Sequence, residues 1–114
     1  MLVNDEVVRQ AEITLGFILP SALRSLYLAG NGRFRSDGQW WVLWPIDRLV
    51  DVTSGAWSDG RLEVGLIAFG DDGTGNPFCV PSADPTRVLR WSWIDGAIES
   101  ELSWVQFVTD WIDA

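Results

Sequence analysis

The spacing of apolar residues changes twice along this chain, and that change constrains the possible fold more than any other feature. Near the N-terminus, apolar residues recur every four positions, at Val3, Val7, Ala11 and Leu15. Between residues 40 and 94 they occur in short runs that are rich in aromatic and β-branched residues and bounded by Gly, Pro and Asp, which is typical of strands. From Trp104 onward the helical spacing returns.

This order of two helices, several strands and a final helix predicts an α+β fold. We expect an N-terminal helical hairpin and a C-terminal helix, both packed on a mostly antiparallel sheet of about four to six strands. The length of 114 residues suits one domain over residues 1–114. A chain of this size can bury enough surface for a core that needs neither a metal ion nor a disulfide.

Residues at the helix ends indicate where the two N-terminal helices begin and end. Asn4 can cap the first helix, and Gly16 is placed to end it. Pro20 is favoured at the first position of a second helix, which the segment Gly30–Gly32 would end. We therefore predict a short helical hairpin.

The middle of the chain is predicted to contain strands, turns and one loop. Strands are predicted at residues 40–44, 62–69, 78–80 and 87–94, of which 62–69 and 78–80 form a hairpin. One helical turn is predicted behind Asp47. The polar segment 53–61 is predicted as a loop and as the most mobile part of the chain.

The charged residues exclude several classes of function. The chain has eight Arg and sixteen Asp and Glu, no Lys and no His, so its net charge is −8. A chain of this charge repels the phosphate backbone, so no nucleic-acid partner is expected. Without His and Lys there is no imidazole base, imidazole metal site, Schiff base or P-loop lysine. A pair of glycosidase carboxylates stays open, although no local motif singles one out. We predict no cofactor and no metal.

Cys79 is the only cysteine, so no internal disulfide can form. Its position between Phe78 and Val80 in a predicted strand indicates a small buried apolar residue. The N-terminal residues lack the basic start and apolar stretch of a signal peptide, and no apolar run is long enough to span a membrane. We therefore expect a cytoplasmic protein without a membrane partner, and a monomer by default.

The segment Asp71–Asn76 has the sequence DDGTGN, which invites interpretation as a binding site. A calcium loop needs oxygen ligands at alternating positions and Gly at the sixth, and neither possible register of this segment meets that pattern. Two carboxylates without a lysine would repel a phosphate group. The favoured interpretation is a tight turn in which Gly adopts a positive φ and Asp accepts local hydrogen bonds, and the alternative is contact with a partner.

An ordered series of short motifs runs through nearly the whole chain. The series comprises Leu15–Pro20, Leu26–Leu28, Asn31-Gly32, Trp44–Ile46, Gly65–Asn76 and Trp104–Trp111. In this order the motifs resemble those of the SUKH superfamily, most of all the branch named after a yeast regulator of cell-wall glucan synthesis (Smi/Knr). The chain departs from that pattern in its lack of Lys, its eight Trp, and Asn76, where relatives often carry an acidic residue.

The resemblance implies an α+β domain without known catalytic activity. Bacterial members commonly act as immunity proteins that neutralise polymorphic or contact-dependent toxins, often nucleases, whereas the yeast relatives resemble signalling and scaffold adaptors. We therefore expect a non-enzymatic protein that occludes the active site of a cognate, basic toxin domain. The alternative is a regulatory or scaffold adaptor related to cell-wall assembly regulators, without a toxin partner.

Five residues form the predicted partner-binding surface, as a loop-rich acidic face: Asp37, Trp57, Asp59, Asp71 and Asp72. The carboxylates would pair with a basic active site in place of nucleic acid. Trp57 is predicted to be exposed in the 53–61 loop, where an indole can serve as an interface anchor. The eight Trp also leave a carbohydrate-binding module open, because aromatic rings can stack on sugars.

Overall fold

A computed structural model describes residues 2–113, which form helices and two antiparallel sheets. The elements in chain order are α1 (Asp5–Leu15), α2 (Ser21–Ala29), β1 (Arg33–Arg35), β2 (Trp40–Leu43), α3 (Ile46–Asp59), β3 (Leu66–Asp71), β4 (Pro77–Pro81), β5 (Arg87–Ser92), β6 (Ala97–Ser103) and α4 (Trp104–Phe107), followed by a π-helical turn (Val108–Ile112). The predicted α+β class is confirmed. None of the helices in this part of the chain is long and apolar enough to cross a bilayer.

The N-terminal helical hairpin forms as predicted. The side chain of Asn4 accepts a hydrogen bond from the Val7 amide at 3.0 Å, which caps α1. Gly16 ends α1 in the left-handed conformation, with a φ of 78°. α2 begins directly after Pro20 and ends before Gly30.

α3 corrects the predicted loop at residues 53–61. A continuous helix runs from Ile46 to Asp59 and ends at Gly60, which has a φ of 80°. The buried face of α3 consists of Ile46, Leu49, Thr53 and Ala56, spaced three or four residues apart. The loop prediction was wrong because Thr, Ser and Gly are typical of loops, whereas here the burial of one helix face outweighs their low helix propensity.

The six strands divide between two sheets. β1 and β2 form a two-stranded sheet, and the other strands form a four-stranded sheet in the order β3-β4-β5-β6. Side chains from opposite faces of the larger sheet enter two hydrophobic clusters. Ile67 and Phe69 enter the first cluster, to which α1, α2 and α4 also contribute. Ala68 and Cys79 enter the second, together with Ala56 of α3. Both faces of the larger sheet are therefore partly covered.

The small sheet lies against the β3 edge of the larger sheet. The Trp44 amide donates to the Phe69 carbonyl oxygen at 2.8 Å, beside a bulge at which Phe69 has no Cα partner on β4. Gly70 permits this approach, because a Cβ built on it would lie 1.9 Å from the carbonyl oxygen of Val42. Only glycine fits at this position without a shift of the backbone.

β6 and the C-terminal helix complete the fold. β6 is absent from the predicted strands, and six of its seven residues are exposed. The predicted C-terminal helix is present, but only its first turn is α-helical and the second is π-helical. A capping box fixes its start: the Gln106 amide donates to the Ser103 hydroxyl at 3.1 Å, and the Gln106 side chain accepts from the Ser103 amide at 2.9 Å.

Candidate partner-binding surface

Trp40 of β2 brings two turns of the chain together. A Cβ built on Gly38, in the β1–β2 turn, would lie 1.8 Å from Cζ3 of Trp40, and a Cβ built on Gly73, in the β3–β4 turn, would lie 3.3 Å from its Cε2. Both glycines therefore pack directly on the same indole ring. Three of the five predicted partner-binding residues lie in or next to these turns: Asp37, Asp71 and Asp72.

Hydrogen bonds within the segment Asp71–Asn76 hold the β3–β4 turn. One carboxylate oxygen of Asp71 accepts from the amides of Gly73 at 2.6 Å and Gly75 at 3.3 Å, and both glycines have a positive φ. The Asp72 amide donates to the Asn76 carbonyl oxygen at 3.0 Å. The interpretation of this segment as a tight turn is confirmed, while its contact with a partner stays a prediction.

The Asp72 carboxylate is engaged inside the molecule. The residue is 5% exposed, and its Oδ2 accepts from Nη2 of Arg90 at 2.8 Å. Its Oδ1 accepts from the Thr74 amide at 2.9 Å and from the Thr74 hydroxyl at 2.6 Å. Burial alone would raise the pKa of Asp72, but the hydrogen bonds from Thr74 and Arg90 outweigh burial and lower the pKa. Asp72 therefore holds the turn and presents no free charge at the surface.

Two arginines join these turns to the C-terminal segment. Arg35 donates from Nη1 to the Trp111 carbonyl oxygen at 2.9 Å, and its guanidinium carbon lies 5.7 Å from the centre of the Trp40 ring. The guanidinium carbon of Arg90 lies 5.7 Å from the centre of the Trp111 ring. Asp37 is exposed, and its carboxylate lies 3.5 Å from Nε of Arg35. Stacking and charge thus connect the two turns with the chain end.

Trp57 does not have the predicted position. It lies on α3 rather than in a loop, and it is half-buried. Its Nε1 donates to the Leu66 carbonyl oxygen at 2.9 Å, and its ring meets that of Phe17 edge-on, with 5.3 Å between the ring centres. The prediction of an exposed indole in a loop was wrong, because α3 continues through this segment and the ring packs against the core.

Asp59 is the last residue of α3 and is exposed. Its carboxylate accepts from the Arg61 Nε at 2.9 Å and from the Arg61 amide at 3.1 Å, and these hydrogen bonds lower the pKa of Asp59. The Arg61 guanidinium in turn lies 5.1 Å from the centre of the Trp93 ring. The predicted surface thus comes from two places, the end of α3 and the turns at Trp40, and its role in binding stays a prediction.

Ion pairs engage fewer than half of the acidic residues. The seven salt bridges within residues 2–113 involve seven different carboxylates out of sixteen and six of the eight arginines. Of the other two arginines, Arg33 donates to the Ile112 carbonyl oxygen and Arg48 stacks on Trp44. Nine carboxylates have no ion-pair partner among the described residues: Glu12, Asp47, Asp51, Glu63, Asp71, Asp95, Glu99, Asp110 and Asp113.

An open groove between α1 and α3 has no counterpart in the sequence-based predictions. Its volume is about 340 Å³. Its apolar lining residues are Val7, Ala11, Ile46 and Val50. Asp47 and Asp51 line its α3 side. The spacing of Ile46 and Val50 is a signal for the start of α3, but the sequence carries no signal that α1 and α3 lie side by side.

The one cysteine and the one tyrosine of the chain are both buried. Cys79 is fully buried as predicted, and burial raises the pKa of its thiol. Burial likewise raises the pKa of Tyr27, whose hydroxyl donates to the Trp44 carbonyl oxygen at 2.6 Å. No group of three or more side chains placed to hold a metal ion occurs between residues 2 and 113.

Comparison with known proteins agrees with the series of motifs in the sequence. The model of the SMI1 / KNR4 family (SUKH-1) matches residues 2–113, nearly the whole chain. No curated protein matches the chain at a significant level. The family match includes the β3–β4 turn, the β2 segment with Trp40 and the C-terminal helix. The chain therefore belongs to the SMI1 / KNR4 family (SUKH-1).

Proposed function

We propose that this chain is an immunity protein that binds one cognate toxin domain in the cytoplasm and occludes its active site. The family supports the proposal, because SUKH proteins are often immunity proteins and are generally non-enzymatic. The observation that carries it is the surplus of nine carboxylates without an ion-pair partner among the described residues, on a chain of net charge −8. Such a surface is complementary to a basic protein.

The toxin domain that fits best has a basic cleft, such as one that binds nucleic acid. Carboxylates fixed on a folded surface would occupy the phosphate-binding positions of the cleft, so that the substrate could not bind there. Their field would also raise the rate of association with a basic partner. Inhibition of this kind is stoichiometric and requires no reaction on this chain.

The predicted surface residues take different roles in this proposal. Asp37 and Asp59 are exposed and Asp71 is partly exposed, so these three would contact the partner. Asp72 would hold the β3–β4 turn through its pairing with Arg90. Asp37 and Asp59 would exchange their arginine neighbours, Arg35 and Arg61, for basic groups of the toxin.

The test is capture followed by inhibition. The tagged protein is incubated with a lysate of its source cells at low ionic strength and eluted with a salt gradient, and the eluted proteins are identified by mass spectrometry. We expect one basic partner in stoichiometric amount. Its purified toxin domain should be inhibited by one equivalent of this chain, and less so as the ionic strength rises.

Two outcomes would contradict the proposal. One is a partner whose activity does not change with excess protein, and the other is capture of a housekeeping assembly, which would favour a regulatory adaptor. The double variant Asp37→Asn/Asp59→Asn tests the predicted surface, and Asp5→Asn/Glu6→Gln is its control, because it also removes two exposed carboxylates that pair with arginine, but at the start of α1. The first variant should weaken inhibition, and the second should not.

A further inference from the structure

We propose that the groove between α1 and α3 is the docking site for a cationic amphipathic helix of the partner. This inference rests on the proposed function, since it adds a second contact surface for the toxin domain and names the kind of segment that the domain would place there. The groove has an apolar floor, an acidic rim and the length of a short helix.

The floor of the groove is apolar and only partly covered. Ala11 and Ile46 are 7% and 2% exposed, whereas Val7 and Val50 are half-buried and pack against the core from its edge. The two α1 residues are four positions apart, as are the two α3 residues, so each helix contributes one row of apolar side chains. The apolar stripe of a third helix fits between two such rows, at an interaxial distance of about 8–10 Å.

Two carboxylates on α3 give the groove its charge. Asp47 and Asp51 are exposed and four residues apart, and neither has an ion-pair partner within residues 2–113. Arg48 does not neutralise them, because its guanidinium lies over the Trp44 ring, 5.3 Å from the ring centre. Like charges at this spacing destabilise a helix. A lysine or arginine from a ligand would relieve that repulsion.

The dimensions of the groove suit a helix of about three turns. α1 has 11 residues and α3 has 14, so the shorter wall is roughly 16 Å long. A helix of this length presents an apolar stripe to the floor and places basic side chains beside it, opposite Asp47 and Asp51. A second copy of this chain does not fit, because a molecule of net charge −8 would approach the same carboxylates.

The probe is a synthetic peptide of about 14 residues that contains only Leu and Lys, with Leu at helical spacing. A control peptide has the same composition in an order without an apolar face. Binding to the isotope-labelled protein is followed by NMR shifts of backbone amides, and affinity is measured by calorimetry. We expect shifts at residues 7–14 and 46–51, and binding of the control peptide that is at least about fivefold weaker.

A matched pair of variants separates docking in the groove from general attraction. Asp47→Asn/Asp51→Asn removes both rim charges and should weaken binding of the helical peptide by roughly fivefold. Asp95→Asn/Glu99→Gln also removes two exposed carboxylates that have no ion-pair partner among the described residues, but one lies in the β5–β6 turn and the other on β6. It should change affinity less than about twofold.

Equal losses in the two variants would overturn the proposal, as would shifts confined to other residues or equal binding of both peptides. The captured toxin domain separates this inference from the proposed function. If that domain is inhibited equally well by the Asp47→Asn/Asp51→Asn variant, the groove is not the docking site and the immunity role stands. If the peptide binds in the groove and the captured domain is not inhibited, the immunity role fails and the groove remains a site for cationic helices.

Discussion

At the scale of single residues, Thr53 supplies hydrogen bonds that β3 would otherwise lack at its edge. Its side chain is fully buried on α3, and its hydroxyl donates to the Ala68 carbonyl oxygen at 2.9 Å and accepts from the Ala68 amide at 3.1 Å. Both groups of Ala68 belong to a strand that water does not reach. One hydroxyl thus satisfies two buried backbone groups and fixes α3 against the sheet.

We expect Thr53→Val to lower the free energy of unfolding by about 3 kcal/mol, because an isosteric side chain would leave a buried N–H and a buried C=O unpaired. Thr53→Ser keeps the hydroxyl and loses only a methyl group, so it should cost about 1 kcal/mol. Urea unfolding of the three proteins measures both values. A valine variant as stable as the serine variant would show that the hydrogen bonds contribute little.

Asp72 is expected to make the stability of the molecule sensitive to acid. Its pKa in the folded protein is lowered from the ordinary value of 3.8, so the unfolded chain binds the proton more tightly. The stabilisation is therefore fully present above the unfolded pKa and is lost as the pH falls through the folded pKa. Asp72→Asn should lower the free energy of unfolding by about 2 kcal/mol near neutral pH, and the difference should shrink below about pH 4.

Urea unfolding over a range of pH tests this expectation. Asp110→Asn is the control, because Asp110 is exposed and has no ion-pair partner among the described residues. It should change stability by less than about 0.5 kcal/mol at any pH. If the Asp72→Asn variant loses the same free energy of unfolding at every pH, the wild-type residue contributes through packing and not through its charge.

At the scale of secondary-structure elements, the sequence predicts the features that depend on interactions between residues close together along the chain. Asn4 and Gly16 correctly predict the two ends of α1, because capping depends on residues within one turn of the helix end. The predicted length of α3 is too short because the middle of this helix contains Thr53 and Gly55. The residues that contact Thr53 in space are distant from it in the sequence. β6 shows no alternation, since it is an exposed edge strand defined by its pairing with β5.

The same distinction between local and long-range interactions decides how much of the candidate surfaces the sequence predicts. The β3–β4 turn could be read from its own residues, because its Asp and Gly bond within six positions. The pairing of Asp72 with Arg90 could not, since it joins residues 18 positions apart on different strands. The groove required α1 and α3 to lie side by side, and no spacing in the sequence specifies that approach.

The free edge of the larger sheet leads to a prediction about self-association. Among the described residues β6 pairs only with β5, and it carries Glu99, which has no ion-pair partner there, and Glu101, which pairs with Arg87. If two copies paired antiparallel through β6 around Ser100, each Glu99 would face a Glu101, and like charges directly opposite are destabilising. We expect Glu99→Thr/Glu101→Thr to form dimers at concentrations at which the wild-type protein is monomeric, as measured by size-exclusion chromatography with light scattering.

The variant Glu99→Lys/Glu101→Lys is the control for this prediction. It reverses both charges but keeps like charges opposite one another, so it should stay monomeric. A threonine variant that remains monomeric over the same concentration range would show that the glutamates are not what keeps this edge unpaired.

At the scale of the whole molecule, one charge distribution has two consequences. Nine carboxylates lack an ion-pair partner among the described residues, and the net charge of −8 makes the surface repel itself. The same field would attract a basic partner. Acidic residues that favour the proposed binding therefore oppose folding, and salt should shift the two equilibria in opposite directions.

We expect the free energy of unfolding to rise by about 1 kcal/mol between low salt and roughly 0.3 M NaCl, because salt screens the repulsion among unpaired carboxylates. The Asp47→Asn/Asp51→Asn variant has two of these charges fewer and should respond less. Thermal unfolding at several salt concentrations measures both responses. A wild-type protein that loses stability with salt would show that the seven ion pairs within residues 2–113 outweigh the repulsion. If stability rises while affinity for the basic partner falls over the same range, the unpaired carboxylates account for both effects.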